Sequence, residues 1–153
     1  MKRLWLPVVW FCAGAVLGEI ASTLLFRSWS DIAHPALKSM YDWLASLGHQ
    51  SLANAWVWFW LNLPTWFSAA VVGFMAGIAI KRNHVLNLLL VGLGFAVVPL
   101  ALAVYLYSFA PYFTEYVWHL ATFVLLFLFG LLGHRIRKVM LPNTTLELTT
   151  SDA

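Results

Sequence analysis

Charged residues are scarce in this chain, and acidic residues are the scarcer kind. Asp, Glu, Lys and Arg together make up 10% of the 153 residues, whereas apolar side chains make up 62%. A soluble domain usually carries about 25% charged residues, so this chain has too few to cover a water-soluble globule. Its nine Trp and eleven Phe are typical of membrane helices with aromatic anchors. The composition therefore predicts an integral membrane protein.

Cysteine is limited to Cys12, which excludes a disulfide framework, a zinc cluster or a CxxC redox pair within the chain. The sequence also lacks the HExxH, GxSxG, Walker A and GxGxxG patterns of common enzyme classes. We therefore expect no catalytic activity, no cofactor and no metal site. The net charge of +3 does not indicate nucleic-acid binding, because the basic residues form no stripe interleaved with aromatic side chains.

Four apolar runs are long enough to cross a bilayer, which needs about 20 helical residues. They cover approximately residues 4–26, 57–80, 85–107 and 112–132. Barrel strands would be shorter and would alternate in character, which these runs do not. We predict an all-α integral membrane protein, a four-transmembrane-helix bundle that forms one membrane domain over residues 1–140. Residues 141–153 are polar without periodicity and are predicted to form a flexible cytoplasmic tail.

The first apolar run has some features of a secretory signal peptide. It follows Lys2 and Arg3 and contains Ala-Gly-Ala at residues 13–15, a pattern that also occurs at cleavage sites. However, the run continues to Phe26, which gives it the length of a full membrane span. We therefore expect an uncleaved first helix.

Basic residues are distributed unevenly around the four runs. The predicted loop between the first two runs holds only Arg27 and Lys38. The other basic residues would share the opposite side of the membrane: Lys2, Arg3, Lys81, Arg82, Arg135, Arg137 and Lys138. The positive-inside rule places the richer side in the cytoplasm. We therefore predict a multi-pass protein of the inner (plasma) membrane with both termini cytoplasmic.

The predicted outer loop contains an amphipathic segment at about residues 35–47. Its apolar positions follow helical spacing, while Pro35 suits a first helical position and Gly48 suits a helix stop. The segment is too short to span, so we predict an extra amphipathic interfacial helix that lies along the membrane surface or packs on the mouth of the bundle. Because its charges nearly cancel, a partner protein explains this helix as well as a lipid surface does.

A tryptophan-rich stretch follows the outer loop. The sequence NAWVWFWLNLPTWF, residues 54–67, is typical of an aromatic belt at a membrane interface. The alternative is an aromatic cage for a ligand. Pro64 within this stretch is expected to kink or restart the second helix.

Glu19 lies inside the first apolar run, although a carboxylate at the centre of a membrane helix costs about 3 kcal/mol or more. Helical spacing places Glu19 and His119 at equal depth, about 10 Å below the outer edge, where each could satisfy the other. Further polar side chains share this outer layer: Ser22, Thr23, Asn62, Thr65, Glu115 and Thr122. We predict that they line an outward-facing polar pocket with Glu19 and His119 at its floor. Interhelical hydrogen bonding without any other role is the alternative.

Small residues repeat at four-residue spacing in two of the runs, at Gly14, Gly18 and Ser22 and at Ala69, Gly73 and Gly77. Such stripes let membrane helices approach closely. The first stripe therefore predicts that this face of the first helix is buried against protein, and the second also favours packing. Gly73 or Gly92 could instead lie on an exposed edge that is available to a partner.

The stretch GAVLGEIASTLLFR, residues 14–27, resembles the first helix of the small multidrug resistance transporters. The resemblance implies four helices and a first-helix glutamate, here Glu19, that exchanges protons for cationic drugs. It covers about 14 of the 153 residues. The long outer loop and the one-sided basic residues depart from that family, because an antiparallel dual-topology dimer is hard to reconcile with such a bias.

Two hypotheses for function follow from these patterns. The first is a non-catalytic small subunit, assembly factor or regulator that packs beside a larger membrane partner through the outer helix and the aromatic belt. The second is a proton-linked small transporter or channel that uses Glu19 and His119. The expected partners are the lipid bilayer and another membrane protein, or a second copy of the chain through small-residue helix faces, and no nucleic acid.

Overall fold

The computed structural model describes residues 5–107 and 113–140. Side chains at positions 5, 106, 107 and 113–115 lie outside that description, as does the predicted tail. The elements are α1 (Trp5–Ile20), a π-helical segment (Ala21–Leu25), α2 (Phe26–Ser46), α3 (Gln50–Ala79), α4 (His84–Tyr107) and α5 (Phe113–Met140). Within the described ranges, four helical stretches are long and apolar enough to span a membrane: Leu6–Ser46, Gln50–Ala79, His84–Tyr105 and Tyr116–Met140. The all-helical class and the four stretches of spanning length are confirmed.

The first helix continues past the predicted end of the first span. α1, the π-helical segment and α2 are continuous, and Leu6–Ser46 is 41 residues long. Pro35 lies inside α2 rather than at a helix start. It leaves the Asp31 carbonyl without a helical partner, but both residues are exposed, so water can replace the lost bond. A separate interfacial helix at residues 35–47 is therefore not confirmed.

The length of this first helix has a geometric consequence. At 1.5 Å per residue it is about 60 Å long, which is twice the ~30 Å thickness of a hydrocarbon core. If its first half spans a membrane, its second half, α2, extends beyond the hydrocarbon. The helix that carries the second predicted span also begins earlier than that span, because α3 begins at Gln50 and runs beside α2.

Glycines set the distance between α1 and α4. A Cβ atom added at Gly14 would overlap the carbonyl oxygen of Val91, and one added at Gly18 would overlap that of Phe95. The four-residue step runs in the same direction on both helices, so α1 and α4 are parallel. The prediction that this face of the first helix is buried against protein is confirmed.

α3 and α5 form a second parallel pair of the same kind. A Cβ at Gly73 would overlap the Leu126 carbonyl oxygen, and one at Gly77 would overlap that of Gly130. Ala69, one turn earlier on α3, is fully buried. The packing role predicted for this stripe is therefore confirmed.

The idea that Gly73 or Gly92 lies on an exposed edge was wrong. Gly73 lies inside the α3–α5 contact. Gly92, on α4, lies under the ring of Phe123, whose nearest carbons are 2.9 Å from the position that a Cβ would take. Both glycines are used within the bundle, since each accommodates a neighbouring helix.

Leu88 is a fully buried contact between the two helix pairs. It is fully buried on α4, and its two methyl carbons lie 2.6 and 3.0 Å from the position that a Cβ of Gly130 would take on α5. The leucine thus fills the space that the glycine leaves. Other buried apolar residues of the same core are Ala21, Ala69, Ala76, Ile80, Val91, Phe95 and Leu126.

α2 and the first part of α3 form a helical hairpin. Gly48 in its turn has φ of 80°, a conformation that favours glycine, and this confirms the predicted helix stop. The apolar side chains buried in this part of the chain are Leu37, Leu44 and Ala53. The indole Nε1 of Trp29 donates a hydrogen bond of 2.8 Å to the carbonyl oxygen of Trp60, which links α2 to α3.

The bundle therefore has two different ends. The hairpin end consists of α2 and residues 50–60 of α3. The basic end consists of residues 79–84 and 134–138, and it carries Lys81, Arg82, Arg135, Arg137 and Lys138. At this end, Nη1 of Arg137 donates a hydrogen bond of 3.1 Å to the carbonyl oxygen of Ile80, so the end of α5 is tied to the end of α3.

Candidate functional site

Glu19 lies at the junction of α1 and the π-helical segment. The π geometry is visible in the backbone N–H of Phe26, which donates to the carbonyl of Ala21, five residues earlier. The Glu19 carbonyl accepts hydrogen bonds from two hydroxyls, one from Ser22 at 3.2 Å and one from Thr23. Ser22 and Thr23 thus bind the backbone of their own helix, and the half-buried Glu19 side chain lies beside an irregular turn.

Two other polar side chains of the predicted pocket also bond within their own helices. Nδ2 of Asn62 donates to the Trp58 carbonyl at 2.9 Å, and Oγ1 of Thr122 donates to the Trp118 carbonyl at 2.9 Å. Thr65 is half-buried on α3. These bonds are local to single helices, so they do not join one helix to another.

His119 lies against α4, where its ring contacts the backbone of Ala96. It borders a groove of about 300 Å³ between α4 and α5 with otherwise apolar walls, including Leu93, Val97 and Phe123. The side chain of Glu115, one turn earlier on α5, is outside the described residues.

Glu19 and His119 lie in the same layer, but the helices that carry them pack on different sides of α4. Gly18, next to Glu19, meets Phe95, and His119 meets Ala96, so the two levels differ by one residue of α4. In the part of the chain that the structure describes, no ion pair or hydrogen bond joins Glu19 to His119. The sequence pattern accounts for the equal depth of the two residues. It does not account for their separation, which arises because α4 lies between the helices that carry them.

The tryptophan-rich stretch forms a packed aromatic cluster. Trp56 and Trp60 meet at 5.7 Å between ring centroids, and Phe59 and Trp66 meet at 5.5 Å. Trp66 also contacts Trp118 of α5, at 4.8 Å, a residue that sequence reasoning did not single out. Because the rings contact one another along α3 and Trp66 also contacts α5, they favour a packing role over an open ligand cage.

Sequence reasoning also missed a histidine pair at the basic end. The rings of His84 and His134 are stacked, with centroids 3.8 Å apart and planes 8° apart. His134 is only 9% exposed, and both of its ring nitrogens lack a hydrogen-bond partner among the described residues. No sequence signal could have found this pair. The two histidines are fifty residues apart in the sequence, and their rings meet only because α4 packs on α5.

The described residues contain no group of three or more His, Cys, Asp or Glu side chains that could hold a metal ion. The fold and its polar groups define an all-helical protein with four candidate membrane-spanning stretches. Comparisons with protein-family models, curated proteins and solved structures find no match. The short resemblance of residues 14–27 therefore assigns no family, and function is argued from the residues of this chain.

Proposed function

We propose that this chain is a multi-pass inner-membrane protein without catalytic activity, which acts as a small subunit, assembly factor or regulator of a larger membrane partner. In this proposal the partner binds at the hairpin end. The observation that carries it is a second, exposed apolar face on α2, distinct from the face that packs on α3.

The two apolar faces of α2 follow from helical geometry. Leu37 and Leu44 lie two turns apart and are buried. Ile32 and Trp43 lie three turns apart on a different face, about 120° around the helix, and they are 75% and 59% exposed. A helix that only packs on one neighbour and faces water needs one apolar face. The second face therefore supports a further contact.

Charge and position favour a protein over a lipid surface as the occupant of this face. The exposed charged residues of α2 cancel: Arg27, Asp31, Lys38 and Asp42. Helices that bind anionic lipid surfaces are instead rich in Lys and Arg. Trp43 lies about 25 Å beyond Phe26 along the helix axis, far from the predicted hydrocarbon edge. An exposed tryptophan of this kind is a typical anchor of a protein interface.

The proposed orientation follows from the difference in basic residues between the two ends of the bundle. The basic end faces the cytoplasm under the positive-inside rule, and the hairpin end faces the opposite side. Four spans then place both termini in the cytoplasm. The docking face of the hairpin in this proposal is the exposed apolar face with Ile32 and Trp43, which overlaps the amphipathic segment predicted at residues 35–47.

Replacing both exposed apolar residues tests the docking face. We expect Ile32→Gln with Trp43→Gln to weaken association with the partner about 30-fold, because a buried interface tryptophan commonly contributes 2 kcal/mol or more. The partner is first identified by a photoreactive residue in native membranes at position 36, an exposed residue between Ile32 and Trp43 on the same face of the helix. The amount of that protein that co-purifies in mild detergent is then compared between variants.

The matched control is Lys38→Gln with Asp42→Asn, which changes two exposed residues of the same helix on its charged face. This control should retain full association. Equal loss in both variants would contradict a defined docking face. Purification of the chain as a stable, symmetric homo-oligomer without another protein would contradict the subunit proposal itself.

A second candidate function is a proton-linked small transporter or channel that uses Glu19 and His119. The observation that favours it is the π-helical segment directly after Glu19, because π-bulges occur frequently at functional sites. Glu19 is also an ionisable residue within an apolar helix. Such residues in membrane helices are by default candidates for a functional site.

Glu19→Gln separates the two candidate functions. A proton carrier should lose proton flux about 100-fold, as for removal of a positioned proton-transfer group, whereas a subunit should keep its partner because an amide retains hydrogen bonding. Proton flux is measured with a pH-sensitive dye trapped in proteoliposomes. The matched control is Asp31→Asn on the exposed part of the same helix. Unchanged flux in Glu19→Gln would rule out the transporter.

A further inference from the structure

A cleft at the basic end lies between the start of α1, the end of α3 and the loop that precedes α4. It has a volume of about 310 Å³, and its walls include Leu6, Trp10 and Ile80. Lys81 and Arg82 also line it, and both are exposed. The cleft therefore combines apolar walls with two cationic side chains.

Two hydrogen bonds to backbone carbonyls hold the loop that carries these two cations. Asn87, also in the cleft, is 2% exposed. Its Nδ2 donates a hydrogen bond of 3.0 Å to the backbone carbonyl of Arg82. On the other side of the loop, Arg137 donates to the carbonyl of Ile80. These two bonds use backbone acceptors, so they leave the Lys81 and Arg82 side chains free to bind an anion.

The described charged residues at this end are all basic. The acidic residues whose side chains the structure describes are Glu19, Asp31 and Asp42, and all three lie on the first helix at or beyond the Phe95 level, away from the cleft. Arg135 and Lys138 add exposed positive charge at the same end. None of the described acidic residues therefore supplies a counter-charge for Lys81 and Arg82.

We propose that this cleft binds the phosphate of an anionic phospholipid. Lys81 and Arg82 hold the phosphate, and Leu6 and Trp10 contact the adjoining part of the acyl chains. Basic pockets between membrane helices at the cytoplasmic side are suited to anionic headgroups, and tryptophan is favoured at the headgroup level. The apolar wall beside the cations distinguishes a lipid from a soluble anion, since a free phosphate has nothing to place against Leu6 and Trp10.

Tryptophan quenching by brominated lipid tests this site. The protein is placed in phosphatidylcholine nanodiscs that contain brominated phosphatidylglycerol or, for comparison, brominated phosphatidylcholine. We expect stronger quenching by phosphatidylglycerol, and we expect Trp10→Phe to remove that difference. Lys81→Gln with Arg82→Gln should weaken the phosphatidylglycerol preference roughly 25-fold, because each cation near the headgroups contributes about fivefold. Both side chains are exposed and the Asn87 bond uses backbone, so this variant keeps the fold.

The matched control is Arg135→Gln with Lys138→Gln, which removes the same charge from the same end but outside the cleft. It should retain most of the preference. Equal loss of the phosphatidylglycerol preference in the two double variants would overturn the site, because diffuse electrostatic attraction to the basic end would then explain the preference. Displacement of brominated phosphatidylglycerol by inorganic phosphate would overturn the lipid assignment and leave a soluble-anion site. If the two brominated lipids quench the wild-type protein equally, both the lipid site and the soluble-anion site are overturned.

Discussion

Gly77→Ala is expected to lower the free energy of unfolding by about 2–3 kcal/mol, the upper range for overpacking a well-packed interior. The added Cβ would overlap the carbonyl oxygen of Gly130 and approach the backbone nitrogen of His134 at 2.9 Å. Both obstacles are backbone atoms of α5, so no side chain can rotate away and the two helices must separate. The measurement is reversible unfolding in mixed detergent micelles, followed by helical circular dichroism.

Gly92→Ala is the matched control, because the chemical change is the same. There the added Cβ meets the ring of Phe123 at 2.9 Å, and a ring can shift. Alanine also gains about 1 kcal/mol of helix propensity over glycine, which offsets the contact. We expect a change below about 1 kcal/mol of either sign. Equal destabilisation by the two variants would show that backbone contact does not determine the spacing of α3 and α5.

Leu88→Ala is expected to destabilise the protein by about 2–4 kcal/mol, as for large-to-small substitutions in tightly packed interiors. Leu88 is 0% exposed and fills the space above Gly130, so the alanine leaves a cavity where α4 meets α5. Lipid cannot readily fill an enclosed gap of that size, and the surrounding side chains lose their packing partner. The same unfolding titration measures the loss.

Leu86→Ala is the control for this effect. Leu86 lies on the same helix and is 51% exposed, so its removal leaves no cavity and should cost under about 1 kcal/mol. If both leucine variants lose equal stability, the join between the two helix pairs does not depend on the Leu88 contact.

The two proposed binding regions lie at opposite ends of the bundle, and their tests are therefore independent. Ile32 and Trp43 are at the hairpin end, whereas Lys81 and Arg82 are at the basic end. A loss of partner association without a change in lipid preference would locate the defect in α2. The stability variants at Gly77 and Leu88 weaken the packing of the bundle itself, so they should disturb both functions together.

Several features of this protein could be predicted from its sequence alone. Apolar content and run length predict four stretches of spanning length, since a chain in lipid must satisfy its backbone hydrogen bonds within each segment. Glycine spacing at Gly14 and Gly18 predicts a closely packed face, because only a missing side chain lets backbones approach. The equal depth of Glu19 and His119 also follows from counting residues along helices. All of these are properties of one helix at a time.

Only the tertiary structure decided which helices are neighbours. Parallel pairing of α1 with α4 and of α3 with α5 depends on which glycine faces meet, and single-helix patterns do not specify that. The pairing puts α4 between Glu19 and His119 and brings His84 against His134. The continuity of the first helix through Pro35 was equally undecided, because a proline is compatible with a helix start or an exposed interior turn. Long-range packing selects between such alternatives, since each satisfies the local chain equally well.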